Sequence, residues 1–461
     1  MTDFGLTNEG DKVALPIHLV PVSGLDSWLA AQDALVRAWV EGGSGKPEAG
    51  QTVRLPAADG GTVGVLRVAD DKPDMWAIAG LRAALWDADF ALDLSAMPEA
   101  DVTGLCLGWA LGGYIFDRYK KPRKQVSARL VWPEGADREL VSAQAGGIVL
   151  ARDLINTPAD DLGPSELEAA ARTMAEGFGG AVSVTVGEDL LAQNFPMIHA
   201  VGRASDDPPR LIDLTFGDPS HPKLTLVGKG VCFDTGGLDM KSAAGMDLMR
   251  KDMGGAATAL GLAHTLLSLK VPVRLRVLLP TVENAVAGNA YRPGDILQTR
   301  KGLTVEIGNT DAEGRLVLGD ALALASEEEP ELLIDFATLT GAARVAVGTE
   351  IAAFFTASDA LGDEAVKAGR AAAETVWRLP LHDDYRHMLD TPFADINNAG
   401  TGGFGGATTA ALFLKEFVAK PDQWLHFDIM GWNARPRPGR PKGGEAMGLR
   451  AMCRLIQDRF G

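Results

Sequence analysis

From about residue 180 onward the chain alternates short apolar runs with longer stretches of helical spacing. Strand-like runs fall at 182–186, 211–215, 224–227, 273–279, 332–336 and 425–429, and helical spacing at 256–269, 315–327, 360–375 and 407–417. A strand followed by a covering helix and a further strand is the signature of an α/β unit. The pattern therefore predicts a mostly parallel mixed sheet flanked by helices, with ligand sites where strand ends meet loops.

One stretch of that alternation concentrates hard oxygen ligands. Leu303-Thr304-Val305-Glu306-Ile307 alternates as a strand does, Asn309-Thr310-Asp311-Ala312-Glu313-Gly314-Arg315-Leu316 follows, and an apolar helical run comes next. Asp311 and Glu313 thus lie on a loop entering a helix, where free backbone N–H groups tolerate negative charge. Upstream, an apolar strand releases Lys229 and Asp234 into Thr235-Gly236-Gly237, Lys241 follows, and Asp252 stands just before a Gly/Ala-rich helix. If the strand ends converge, Asp234, Asp252, Asp311 and Glu313 place four carboxylates together. In a partly dry site these repel one another unless cations balance them. Two divalent ions about 3.5–4 Å apart, sharing carboxylates, would do so. No histidine stands in these motifs, so the candidate nitrogen donor is Lys229, as a neutral amine favoured by nearby dications. Taken singly, each residue has an ordinary reading: Asp252 as a helix cap, Asp311 and Glu313 as partners of the helix dipole, Lys229 as a surface lysine.

The ordered set Lys229, Asp234, Lys241, Asp252 and then Asn-Thr-Asp-Ala-Glu-Gly-Arg-Leu resembles the leucyl aminopeptidase family, the hexameric two-zinc cytosol aminopeptidases, over about the last two thirds of the chain. In the first third the resemblance is faint. It implies one ion held by Lys229, Asp234, Asp252 and Glu313, and a more exchangeable one held by Asp234, Asp311 and Glu313. Zinc is the default, with manganese, cobalt or magnesium accepted at the exchangeable position. It also implies that Lys241 stabilises charge on the scissile carbonyl oxygen, and that Arg315 holds a bicarbonate that takes the proton from the attacking water. Leu339 C=O and Gly341 N–H would read the peptide main chain, Met249 and Thr338 would line the pocket for the first side chain, and Asn309 joins the substrate-binding set. Methionine suits an adaptable apolar pocket, so leucine-like N-termini are the expected class. The implied assembly is a homohexamer, a dimer of trimers. Three features depart from the family pattern: Asp160 where Asn is usual, Phe336 where Leu is usual, and a loop at 436–442 of unusual length that would alter the pocket rim.

The first part reads as a small α/β domain over 1–147, followed by the catalytic domain over 148–461. Strands are expected at 13–20, 62–68 and 125–132, and helices at 28–40, 76–87 and 101–119. Gly42–Pro47 is a turn rather than a phosphate loop, since the first glycine is missing and Pro47 replaces the hydroxyl residue. Residues 120–124 read as a solvated basic turn. The boundary is placed at Gly146-Gly147, followed by a helix at 148–155 and a linker at 156–164, and Ser165 with Glu168 forms a capping box. The glycine-rich loop at 400–406 suits a phosphate cradle, or a loop against the active site or a subunit contact. His426, in a core strand, either backs a ligand or is a satisfied core histidine.

Charge narrows the partners. Lys plus Arg is 44 and Asp plus Glu is 61, a net charge of −17. On average such a chain repels nucleic acid and anionic lipid. This argues against an architectural DNA-binding role, known in some members of the family, which a salt-dependent gel shift would reveal. A narrow dipeptidase, such as a cysteinylglycine hydrolase, is a further alternative that a substrate panel separates. The three cysteines form no C-x-x-C pair, the first residues show no apolar signal segment, and no apolar run reaches membrane-spanning length. A cytoplasmic location is expected.

Overall fold

The computed structural model describes residues 4–8, 13–43, 45–121 and 126–461. Pro122, Arg123 and Lys124 of the basic turn, and the start of the strand expected at 125–132, lie outside them. The chain divides into two compact units, Met1–Ala145 with Arg435–Pro441, and Gly146–Ala434 with Lys442–Gly461.

The first unit is built on a six-stranded sheet of β1 (Leu6–Thr7), β2 (Leu15–Pro21), β3 (Thr52–Pro56), β4 (Thr62–Ala69), β5 (Asp89–Asp93) and β6 (Arg129–Val131), in the order β1-β6-β5-β2-β4-β3. All neighbours are parallel except the β3/β4 pair. Val20, Leu66 and Val68 pack with Leu25, Leu29, Val36 and Val40 in one apolar cluster. The helix expected at 28–40 is two helices, Leu25–Ala30 and Ala34–Glu41. Asp33 breaks the run because its carboxylate caps the second, accepting from Val36 N–H. The segment 76–87 is helical only at Leu81–Ala84, and the helix expected at 101–119 stops after Val102–Gly112. Gly108 and Gly112 mark where this helix meets the turns before it. A Cβ at either would lie 1.8 Å from the carbonyl of Met75 or Ala79, so the helix and the turns at 75–79 touch backbone to backbone. Arg435–Pro441, which takes in most of the loop at 436–442, belongs to this unit. Arg440 stacks 4.4 Å over the Trp76 ring, and Gly439 packs on the same ring.

The second unit holds a nine-stranded mixed sheet. Its strands are β7 (Ala181–Val186), β8 (Arg210–Phe216), β9 (Lys223–Gly228), β10 (Gly230–Asp234), β11 (Arg274–Asn284), β14 (Leu332–Ala337), β15 (Ala352–Phe355), β16 (Val376–Arg378) and β18 (Trp424–Asp428). A three-stranded side sheet uses β12 (Ile296–Gln298), β13 (Thr304–Glu306) and β17 (Ile396–Asn397). The large sheet runs β16-β15-β18-β14-β9-β11-β8-β7, with β10 also paired to β11. Parallel pairing joins β16/β15, β18/β14, β14/β9, β9/β11 and β10/β11, and the other three pairs are antiparallel. The small N-terminal α/β unit and larger mixed-sheet unit are the architecture that the alternation predicts. β14 is buried at every position and β11 at nearly every position, as strands covered on both faces must be. The helix Gly254–Ser268 packs on β9 and β14, while Glu313–Glu327 joins the apolar cluster with Leu412, Phe413 and Trp424.

Three local expectations change. The helix expected at 148–155 is the end of a longer one, Arg138–Asn156, which runs through Gly146-Gly147. A Cβ at Gly147 would meet the Gly261 carbonyl at 2.2 Å, so the pair serves close helix–helix packing rather than punctuation. The next helix is Pro164–Gly177 with Gly163 as its cap, whose N–H donates to Glu166 at 3.0 Å. Ser165 binds Asp207, and Glu168 pairs with Arg172 and Arg210. Strands β10, β15 and β16 and the outer strands of the side sheet are too short, at two to five residues, to show an alternation. The three cysteines are buried. No helix among the described residues is long and apolar enough to cross a membrane.

Candidate metal centre

Lys229 is the single residue between β9 and β10. Its N–H donates to Phe336 O at 3.0 Å and its carbonyl accepts from Ala256 N–H at 2.9 Å, so sheet and helix clamp its backbone. Gly255 makes this possible: a Cβ there would lie 2.0 Å from Phe336 O. Gly314 in turn leaves room for the lysine stem, since a Cβ there would sit 2.5 Å from Lys229 Cε. Asp234 ends β10, and its Oδ1 accepts from Gly236 N–H at 2.9 Å and Asn284 Nδ2 at 2.8 Å. Asp252 sits in the tight turn Met249–Met253. The helix that follows has no side-chain cap. The Asp252 carboxylate accepts instead from Thr338 Oγ1 at 2.8 Å and Lys229 Nζ at 2.7 Å. Glu313 opens the helix Glu313–Glu327 and reaches Lys229 Nζ at 2.7 Å.

These contacts draw the carboxylate oxygens of Asp234, Asp252 and Glu313 within 4.8 Å of one another, all three buried. Asp311 stands on the loop beside them, and Lys241 bridges it to Asp234, 2.8 Å from the latter. All twelve residues singled out from sequence, Lys229, Asp234, Lys241, Met249, Asp252, Asn309, Asp311, Glu313, Arg315, Thr338, Leu339 and Gly341, line one cavity of about 380 Å³. None of the seven histidines does. His426 is fully buried, with Nδ1 2.6 Å from Asp335, and is a core histidine. Gly406, at the end of the glycine-rich loop, lines the cavity.

At the ligand cluster four carboxylates crowd around two ammonium groups. Burial and the charge of Asp234 push the Glu313 carboxyl up to about 8 and that of Asp311 up to about 6. Burial acts on Asp252 in the same direction, but Lys229 outweighs it and holds that carboxyl low. Burial works against the Lys229 ammonium, yet Asp252 and Glu313 raise it above the ordinary lysine value. Lys241 is raised as well, by Asp234 and Asp311 against its desolvation. Two ammonium groups therefore stand where cations are demanded, and the donor set of carboxylates plus one convertible amine fits divalent metal ions.

Several positioning residues carried no sequence signal. Asn398 Oδ1 accepts from Gly308 N–H, its Nδ2 donates to Asn309 O at 2.8 Å, and its carbonyl accepts from Arg315 Nη1 at 2.7 Å. Arg315 Nε is buried with no partner among the described residues, a donor free for an anion. Burial brings this guanidinium down to about 10. Asp428 holds the loop after β14, accepting from Leu339 N–H at 3.1 Å, Thr340 N–H at 3.0 Å and Thr340 Oγ1 at 2.5 Å. Only hydrogen-bond partners mark Asn398 and Asp428, and those lie more than eighty residues away.

A family model described as "Cytosol aminopeptidase family, catalytic domain" matches residues 149–453, and one described as "M17 aminopeptidase, N-terminal domain" matches residues 15–133. The likeness thus includes the first third. A probable cytosol aminopeptidase of Roseiflexus castenholzii is 39% identical over 411 residues, 84% of each chain. The cytosol aminopeptidase of Coxiella burnetii, solved as a crystal structure, superposes with a TM-score of 0.95 at 45% identity over the whole of both chains. A bottromycin maturation enzyme solved in complex with Mn matches with a TM-score of 0.87 at 32% identity, over 98% of this chain and 100% of that one.

Proposed function

The chain belongs to the cytosol aminopeptidase family, metal-dependent aminopeptidase hydrolases, and on that premise we propose that it releases single N-terminal residues, leucine-like ones included, from peptides. The convergence of Asp234, Asp252 and Glu313 around Lys229 carries the reading. Lys229, Asp234, Asp252 and Glu313 would hold one divalent ion, and Asp234, Asp311 and Glu313 a second. Such ions, zinc or manganese, supply Lewis acidity and a nucleophilic water at neutral pH. To act as a ligand Lys229 must give up the proton that Asp252 and Glu313 now favour, so loading should release protons. Lys241 Nζ, now paired with Asp234 and Asp311, would meet the scissile carbonyl oxygen and its developing charge once those carboxylates served as ligands. Arg315, with its open Nε, would hold bicarbonate as the proton acceptor. Leu339 and Gly341 would orient the peptide backbone, with Met249 and Thr338 beside the first side chain and Asn309 at the cavity wall.

Chelation followed by re-addition of zinc or manganese tests this, with amino-acyl p-nitroanilides and an N-acetylated control. Activity should vanish, return with either metal, and be absent on the blocked substrate. Full activity after verified metal removal would refute the proposal. By the same reading the protein is a cytoplasmic homohexamer, and light scattering that gives a monomer would overturn the assembly.

A further inference from the structure

Five cationic side chains line the cavity, Lys229, Lys241, Lys251, Arg315 and Arg344, against four carboxylates, Asp234, Asp252, Asp311 and Glu313. In a chain of net charge −17 this pocket carries a formal excess of 5 − 4 = +1, and bound dications would increase it. Lys229 and Lys241 are taken up by the ligand carboxylates, and Arg315 is anchored through Nη1 to Asn398 with its Nε open. Lys251 is different. It is 2% exposed. Its one ion pair among the described residues, to Asp252 Oδ1, spans 3.9 Å, which is beyond hydrogen-bond reach. No hydrogen bond of its ammonium is found among those residues. Asp252 is itself committed to Lys229 and Thr338. A buried ammonium without an acceptor is costly, and its place on a cavity wall lets a ligand supply that acceptor. Arg344, on the helix Gly341–Val347, lines the same cavity.

We propose that Lys251 admits N-terminal residues with a side-chain carboxylate, glutamate above all, as a substrate class beside apolar ones. The inference rests on the aminopeptidase reading. Lys251 shares its turn with Met249 and stands on the Thr338 flank of Asp252, where that reading puts the first side chain. Met249 would pack the methylenes while the Lys251 ammonium pairs with the carboxylate. The C-terminal carboxylate of a dipeptide could meet the same cation, and substrates lacking that group separate the two cases.

The test compares kcat/KM for the α-p-nitroanilides of glutamate, glutamine and leucine, which have no C-terminal carboxylate, using manganese-loaded protein. A charge-assisted hydrogen bond should favour glutamate over isosteric glutamine by about tenfold or more. The ratio should fall to about one in Lys251→Met and persist in Lys251→Arg, whatever the absolute rates, with Lys251→Gln serving if the methionine variant does not fold. A parent ratio at or below one, or an undiminished ratio in the methionine variant, would overturn the inference. If leucine is cleaved in that case, only the role of Lys251 falls. If no substrate is cleaved, the aminopeptidase reading falls with it.

Discussion

Glu313→Gln should flatten the loss of stability that the metal-free chain suffers as pH rises. Burial and the charge of Asp234 hold the Glu313 carboxyl at about 8, against an ordinary 4.5. A carboxyl raised by folding costs nothing below its unfolded value and costs progressively more as pH climbs toward the folded one. The window for Glu313 therefore runs from 4.5 to about 8. At about 1.4 kcal/mol per pH unit, the ceiling is about 5 kcal/mol. Asp311, raised to about 6, adds to the loss in the lower part of that window in both proteins. Glutamine cannot ionise yet keeps an acceptor for Lys229 Nζ, so variant and parent should agree near pH 5 and separate above pH 8. For a unit of about 300 residues the entropy of unfolding converts that ceiling into about 8 °C of Tm. Calorimetric melts of chelator-treated parent and variant, at matched ionic strength from pH 5 to 9, provide the measurement. Manganese should lift the parent most at the alkaline end, where the unbalanced anion is relieved. Parallel pH profiles for the two proteins would refute the argument that burial and Asp234 penalise the ionised Glu313.

Lys241→Ala and Arg315→Ala should each fold and bind metal normally yet lower kcat by about 10²–10³-fold; metal analysis beside kinetics checks both, and a near-parental kcat removes the residue from its role. Asp428→Asn should cut kcat/KM by about tenfold or more, because one amide oxygen cannot replace a carboxylate that serves three donors on Leu339 and Thr340; unchanged metal content would place the defect in the loop. Gly255→Ala should cost about 3 kcal/mol or more, read by denaturant unfolding, since the new methyl meets a carbonyl it cannot displace.

The twelve residues singled out from sequence line one cavity: Lys229 and the four carboxylates stand out locally as ligand types at strand ends and loops, whereas Met249, Asn309, Thr338, Leu339 and Gly341 are reached only through the family resemblance. The main sheet was legible for a related reason: β8, β9, β11, β14 and β18 are apolar runs long enough to read as strands. What stayed hidden depends on partners remote in the chain. Asp428 looked like the polar end of a core strand until its acceptors met the loop at 339–340. Gly146-Gly147 has the composition of a linker, and only Gly261 across the packed helices turns it into a contact. Lys251 carries no signal in the sequence, since only the cavity wall around it shows its ammonium without a close acceptor. Helix ends at Gly112 and Gly163 shifted because local carboxylates and close carbonyls compete with propensity.

The glycine seam beneath Lys229 has a further consequence. With no side chain between Gly255 and Phe336, the spacing of Lys229 from Asp252 is inherited from main chain held on two sides. Asp311 is a contrast: its side chain is 32% exposed and it sits on a loop. The Asp311 carboxylate thus has room to turn, while Thr310 beside it is buried and held by Asn284 and Tyr291. Whatever occupies the cleft must conform to Lys229 and Asp252, so differences in ionic radius should register as reorientation of the Asp311 carboxylate and leave the turn at 249–253 still.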